Sequence, residues 1–162
     1  MADARRHDYR LSARPTAFFA DALEAALSRS PEIVLPGDPG AARYGQRRAF
    51  LWDLFGDGAD GFDFHLVVLS ASGAPEAAHP LVRRISADLV AMDDAARAIP
   101  SDQDENEYLW SVTLDAEAGA VQLDYAATAF NTEWSVHFRL DETGGWTCLG
   151  IPDWREPGRF IR

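Results

Sequence analysis

The last third of the chain repeats one pattern, a segment of strand length followed by a turn, and this repetition restricts the fold more than any other feature. In residues 133–140 the side chains of Trp134, Val136 and Phe138 alternate with polar ones. Such alternation indicates an antiparallel strand with one covered face and one wetter face. Three more segments have strand length, namely 108–114, 121–125 and 146–151. The stretches DAEAGA and DETGG carry turn chemistry. The sequence therefore predicts a C-terminal antiparallel meander.

Two segments show helical periodicity instead. Residues 80–99 carry apolar side chains at every third or fourth position, with a proline at the start and another directly after the end. Residues 16–30 carry a second apolar stripe, also bounded by prolines. We expect both helices to pack on one face of the sheet, with Trp134, Val136 and Phe138 buried against the helix at 80–99.

A predicted hairpin lies between the two helices. Residues 47–55 alternate, and residues 62–70 are rich in β-branched and aromatic side chains. The stretch between them, GDGADGFDFH, contains Asp57, Asp60 and Asp63. It lacks the glutamate that completes an EF-hand loop, whereas glycine and aspartate suit a tight reversal of the chain. We interpret it as a turn and not as a calcium site.

The order of elements is helix, hairpin, helix and meander, which predicts an α+β fold with two helices packed on one face of an antiparallel sheet. The length of 162 residues is typical of a single domain, 1–162. We expect residues 1–14 to form a flexible arm and residues 152–162 a packed tail without regular structure. A brief strand is predicted within the proline-rich stretch 31–40.

The charge of the chain restricts its partners. The formal net charge is −11, and all 15 basic residues are arginines. The first 14 and last 11 residues are weakly basic, so the acidic excess lies between them. A negative field repels nucleic acid and anionic lipid and attracts a basic partner. No segment resembles a signal-peptide core or a membrane span, so we expect a cytoplasmic protein that binds neither nucleic acid nor membrane.

Side chains that commonly carry catalysis or bind metals do not form a recognisable motif. Cys148 and His137 lie on adjacent predicted strands, but a cysteine in the middle of a strand favours a buried structural role. The four histidines lack metal-ligand spacing. Glu133 lies at the start of a strand, and no second carboxylate is indicated as its partner, which favours a charge at a sheet edge. We predict no catalytic residue, no metal and no cofactor.

Two groups of residues are candidate contacts for a protein partner. The first is an acidic run before the meander, formed by Asp102, Asp104, Glu105 and Glu107. It is interpretable as a solvated linker or as a docking surface that steers a basic partner. The second lies in the tail, where Trp154, Arg155 and Arg159 combine residue types that are common at interface hot spots.

Residues 131–154, NTEWSVHFRLDETGGWTCLGIPDW, form a Trp-rich hairpin with an acidic turn. This segment resembles small acidic bacterial immunity proteins, which are single-domain α+β proteins that bind and block a cognate toxin. The resemblance implies neutralisation by occlusion, with no catalytic residues. Two alternatives stay open. One is a small-ligand binder with a pocket between the helices and the sheet, and the other is an enzyme that uses Glu133 and His137.

Overall fold

The computed structural model describes residues 9–14, 17–54, 64–70, 74–99, 107–127 and 132–161. In these residues two helices cover one face of a mostly antiparallel sheet, which confirms the predicted α+β class. The helices are α1, Ala17–Leu27, and α2, His79–Arg97. The strands are β1, Glu32–Val34, β2, Arg48–Asp53, β3, His65–Ser70, β4, Glu107–Asp115, β5, Ala120–Ala127, β6, Thr132–Leu140, β7, Trp146–Pro152, and β8, Phe160–Ile161.

Both helices lie where the periodicity predicts them. The stripe of α2 that faces the sheet is buried from Val82 to Ala96, because its apolar side chains recur at helical spacing. Helix α1 buries Phe19, Leu23 and Leu27 in the same core. Pro80 lies in the first turn of α2, where its missing N–H removes no helical hydrogen bond.

The strands are ordered along the sheet as they are along the chain, from β1 to β8. Neighbouring strands are antiparallel except for β3 and β4, which run parallel because α2 crosses over between them. The predicted hairpin is confirmed by the antiparallel pairing of β2 with β3. Its turn, with Asp57, Asp60 and Asp63, lies outside the described residues, so our interpretation of that turn stays a prediction.

The sheet has two different faces. The face under the helices, called here the covered face, contains Phe50, Val68, Leu114 and Phe138, each at most 2% exposed. On β6 the predicted facing is confirmed, since Val136 and Phe138 are fully buried there. Trp134 is only half-buried, contrary to our expectation, because it lies at the margin of the core. Its ring stacks on that of Tyr125 at 4.4 Å between centroids.

The opposite face, called here the open face, contains small, polar and apolar side chains together. The strand register aligns Asp53, His65, Ser111, Asp124 and Ser135 in one row across β2 to β6. No helix in the described part of the chain covers this row. Asp53 is exposed there and His65, Asp124 and Ser135 are half-buried, whereas Ser111 is buried. The open face is therefore the wetter of the two faces, as the alternation predicts.

A buried carboxylate joins three parts of the fold. Asp93 of α2 is fully buried and accepts hydrogen bonds from the Tyr125 hydroxyl at 2.7 Å and the Leu11 N–H at 3.0 Å. The Arg97 guanidinium donates to both carboxylate oxygens, at 3.0 and 3.1 Å. Burial and the Asp93 charge together raise the pKa of Tyr125 well above its ordinary value. The N-terminal segment, α2 and β5 therefore share one charged centre.

The prediction of a flexible N-terminal arm is wrong for residues 9–14. Leu11 is 1% exposed within a 3-10 turn, and Arg97 also donates to the Tyr9 carbonyl at 3.3 Å. The sequence did not reveal this anchor, because its acceptor and donor lie more than 80 residues further along the chain. Residues 1–8 lie outside the described residues.

The prediction of a packed tail without regular structure is also wrong. Strand β7 extends to Pro152, and after a turn β8 pairs with it in antiparallel fashion. Trp154 is not packed, since 84% of its surface is exposed. The Asp153 N–H bonds to the Arg159 carbonyl at 2.9 Å, which closes the turn and leaves Trp154 at its tip.

Replacing Asp93 by alanine should strongly destabilise the protein. The change leaves Arg97, the Tyr125 hydroxyl and the Leu11 N–H without their buried acceptor, and breaking a buried ion pair costs about 3–5 kcal/mol. Asp94→Ala is the matched control, because its side chain is exposed on the same helix and should shift stability by less than about 0.5 kcal/mol. Urea unfolding of both variants measures the difference, and equal effects would contradict a stabilising role for the buried network.

Candidate functional site

The open face contains a cavity of about 550 Å³, lined by β2 to β6 and by the 3-10 turn at Ala41–Tyr44. Leu51, Val67 and Leu69 form an apolar part of its wall. Beside them lie polar side chains of the central strands, among them Thr113 and Gln122. An apolar surface with a few polar groups is typical of a small-molecule site.

A β-bulge places Trp110 in this cavity. Leu109 pairs with Tyr125 and Ser111 pairs with Asp124, so Trp110 is the extra residue on β4. A bulge re-aims a side chain that regular alternation would send to the other face. Trp110 therefore lines the open face together with Ser111, its neighbour in sequence.

The Trp110 ring is held by aromatic and cationic neighbours. His65 contacts it edge to face at 6.2 Å, and the Arg43 guanidinium lies over it at 5.9 Å from the ring centroid. Its Nε1 is buried and has no hydrogen-bond partner among the described residues. An unpaired buried donor costs about 1–3 kcal/mol, and a bound molecule that supplies an acceptor would offset that cost.

Asp124 is the titratable group that the cavity perturbs most. Burial raises its pKa to about 6, and the nearby charge of Glu133 adds to the increase. A hydrogen bond from Gln122 Nε2 at 2.8 Å and the charge of Arg43 oppose the increase. Asp124 is thus ionised at neutral pH in a place that disfavours its charge, which is a common property of ligand-binding and catalytic carboxylates.

The second arginine of the cavity is already neutralised. Arg47 forms a fork with both oxygens of Asp115, and its Nη2 lies 3.4 Å from Glu117 Oε2. Burial acts to raise the pKa of Asp115, but the hydrogen bond from Arg47 and those from backbone N–H groups outweigh it and lower that pKa. The fork fixes the Arg47 side chain at the rim of the cavity.

Glu133 and His137, which the enzyme interpretation combines, do not meet in one site. Glu133 lines the cavity, whereas His137 lies four residues further along β6, about 13 Å away at the rise of a strand. His137 packs on Phe160 at 5.6 Å, and burial lowers its pKa. The carboxylate near Glu133 is Asp124, which the sequence analysis did not single out.

Cys148 and His137 do not form a pair either. Cys148 is opposite Phe138 in the register and packs against the core on the covered face. His137 projects from the open face, because it precedes Phe138 on the same strand. Cys148 is half-buried and not fully buried as expected, and its packing against the core is compatible with a structural role.

The two predicted partner-binding groups lie away from the cavity or outside the described residues. Asp102, Asp104 and Glu105 are not described, and of Glu107 the structure describes only the backbone at the start of β4. The tail residues lie beside β7 and β8 and do not line the cavity. Arg155 lies over the Trp154 ring at 5.0 Å, and Arg159 bonds to Glu156 at 3.0 Å.

Sequence reasoning missed Trp110, Asp124 and Arg43. A signal for Asp124 was present, since Gln122 and Asp124 alternate with apolar residues on one predicted strand, as Ser111 and Thr113 do on another. Two adjacent central strands with polar outward positions indicate a polar patch. No comparable signal existed for Arg43, because its turn precedes the sheet and its approach to Trp110 depends on the fold.

Two structural features are absent from the described residues. No three His, Cys, Asp or Glu side chains there are grouped so that they could hold a metal ion. Within the same residues no helix combines the length and the apolar character that crossing a membrane requires.

Comparisons with known proteins do not assign the chain to a family. Neither the protein-family models, nor the curated proteins, nor the solved structures give a match.

Replacing Asp124 by asparagine should stabilise the protein at neutral pH. The pKa of Asp124 is about 6 in the folded state and 3.8 as the ordinary value. Protonation of Asp124 therefore stabilises the folded state. This stabilisation is complete below about pH 4 and is lost as the pH rises through 6. Asp124→Asn removes this half-buried charge and should add up to about 3 kcal/mol at pH 7, falling towards zero at pH 4. Urea unfolding between pH 4 and 8 measures this.

Asp141→Asn is the control, because it should change the stability at pH 7 in the opposite direction. Hydrogen bonds from the Thr143 side chain and the Gly145 N–H lower the pKa of Asp141, so its charge favours folding at neutral pH. The asparagine variant should be less stable than the wild type at pH 7, with a difference that shrinks as the pH falls. A loss of stability at pH 7 in the Asp124 variant would contradict the assigned burial cost.

Proposed function

We propose that the protein binds a small organic molecule in the cavity on its open face. The observation that carries the proposal is the meeting, in one cavity of about 550 Å³, of the Trp110 ring with the partly desolvated carboxylate of Asp124. Ligand pockets commonly measure about 300–1,000 Å³ and combine an apolar wall with a few polar groups. The cavity has both properties.

Two unfavourable features of the free protein support the proposal. Asp124 keeps its charge in a half-buried place, and the buried Trp110 Nε1 lacks an acceptor among the described residues. Both features lie in the same cavity, and each is removable by a single substitution. Functional sites often retain such local costs because the ligand offsets them.

The position of the cavity differs from our expectation of a pocket between the helices and the sheet. That space is filled by the core, in which Phe19, Leu89 and Met92 are at most 4% exposed. The open face keeps its cavity because side chains such as Ser111 and Thr113 are small and no described helix lies over them. The proposed small-ligand site thus lies on the open face, on the opposite side of the sheet from the helices.

A fragment screen tests the proposal. Ligand-observed NMR with monocyclic aromatic amines, acids and alcohols should detect binders with dissociation constants on the order of 1 mM, as small fragments allow. Thr113→Trp places a large ring on the cavity wall and should abolish their binding. Arg139→Trp is the control, since Arg139 is exposed on the same face but does not line the cavity. Binding that survives in Thr113→Trp, or no binding at all, would overturn the proposal.

A second candidate function is recognition of a basic protein partner, as in toxin-neutralising immunity proteins. It is supported by Trp154, which is 84% exposed with Arg155 stacked on its ring. An exposed tryptophan beside an arginine combines the two side chains that most often dominate interface energies. The acidic run at Asp102, Asp104, Glu105 and Glu107 would then steer the approach of the partner.

Affinity capture from a bacterial lysate, followed by binding kinetics, tests this second function. Trp154→Ala should leave thermal stability unchanged, because its side chain is exposed, and should lose the captured protein. Neutralising the four acids of the run to Asn or Gln should slow association and remove its salt dependence, with little effect on dissociation. Arg139→Ala, on the open face, is the control. If Trp154→Ala captures the same protein at the same affinity, the tail is not the binding surface.

A further inference from the structure

The cavity has an excess of negative charge once its internal ion pairs are counted. Arg47 is neutralised by ion pairs with Asp115 and Glu117, and the His65 ring is hydrogen-bonded to Asp53 Oδ1 at 2.5 Å. Asp124 and Glu133 form no ion pair with a described residue. Asp124 has only the neutral Gln122 amide as a side-chain partner there. These two carboxylates therefore dominate the field that a ligand meets.

The Arg43 guanidinium occupies a position over the Trp110 ring that a ligand cation could take. Its guanidinium lies over the Trp110 ring at 5.9 Å, and its charge acts on Asp124. Arg43 is exposed and forms no salt bridge with a described carboxylate. It belongs to a short 3-10 turn between Gly40 and Gly45, whose positive φ values of 85° and 63° suit glycine. A flexible side chain held by one weak contact is easily displaced.

We propose that the ligand is a small organic cation, with a protonated amine or a guanidinium on a flat body, bound between the Trp110 ring and the carboxylates of Asp124 and Glu133. This inference rests on the proposed function of the cavity. The ligand cation replaces the Arg43 guanidinium over the ring, where cation–π attraction adds to the charge attraction. An acceptor group on the ligand, such as a hydroxyl, satisfies Trp110 Nε1.

An anionic ligand fits the same cavity less well. The Arg47 guanidinium is occupied by Asp115 and Glu117, so an anion would have to compete with two carboxylates. Arg43 would remain as its only described basic contact without a carboxylate partner. The anion would also approach Asp124 and Glu133 in a chain of net charge −11.

Cation binding should depend on pH through Asp124. The charged and titratable groups that face it are Glu133 from β6, Arg43 from the 3-10 turn and His65 from β3. The cation favours the ionised carboxylate, so affinity should fall roughly tenfold from pH 7 to pH 5, as expected for a group that titrates near pH 6. His65→Gln should keep this dependence, which separates Asp124 from the imidazole.

Three probes with the same aromatic body test the charge preference on the full chain. They are tyramine as the cation, tyrosol as the neutral alcohol and 3-(4-hydroxyphenyl)propionate as the anion, measured by titration calorimetry at pH 7. Tyramine should bind at least tenfold more tightly than the other two. Asp124→Asn should weaken tyramine at least tenfold and abolish the pH dependence, and Glu133→Gln should weaken it severalfold.

Arg43→Ala distinguishes a cationic ligand from an anionic one. If Arg43 occupies the position of the ligand cation, its removal should tighten tyramine binding about two- to fivefold. If Arg43 instead holds an anion, its removal should abolish binding of the propionate. If the propionate binds more tightly than tyramine, or if all three probes bind equally, the cation inference is wrong. If Thr113→Trp blocks that binding, the cavity is still a ligand-binding site. Absence of binding by the three probes and by every fragment of the screen overturns both.

Discussion

The fold depends on one buried carboxylate. Asp93 accepts bonds from the Tyr125 hydroxyl, the Leu11 N–H and the Arg97 guanidinium, and it is fully buried. Hydrogen bonds to a charged group contribute about 1.5–3 kcal/mol each, whereas an unpaired buried charge is strongly unfavourable. The network is therefore stable only when the N-terminal segment, α2 and β5 are all in place. It fixes α2 against β5, near the centre of the sheet.

The two faces of the sheet differ in the side chains they present. On the covered face large apolar side chains such as Phe50 and Phe138 meet the helices, and little space remains for a ligand. On the open face the same strands present Ser111, Thr113 and Asp124, which are too small and too polar to form a core. The bulge at Trp110 places a large aromatic ring on this polar face, because it adds one extra residue to β4.

The net charge of the chain and the carboxylates of the cavity both favour a cationic ligand. A net charge of −11 attracts cations from a distance, and Asp124 and Glu133 offer them carboxylates at close range. The proposed protein-binding role of the tail uses the same long-range attraction at another place, since Trp154 lies beside β7 and β8. Trp154, Arg155 and Arg159 do not line the cavity.

The sequence by itself determined the two helices, the hairpin, the meander and the two faces of β6. The three-to-four spacing of α2 and the alternation of Val136 with His137 follow from the helical period of 3.6 and the strand period of 2, which act between near neighbours in the chain. Tertiary structure alone decided the parallel pairing of β3 with β4, the anchoring of Leu11 on Asp93 and the meeting of Arg43, Trp110 and Asp124. In each case the partners are distant in sequence. Their contact depends on the order of the strands and the path of α2, and no local period encodes either.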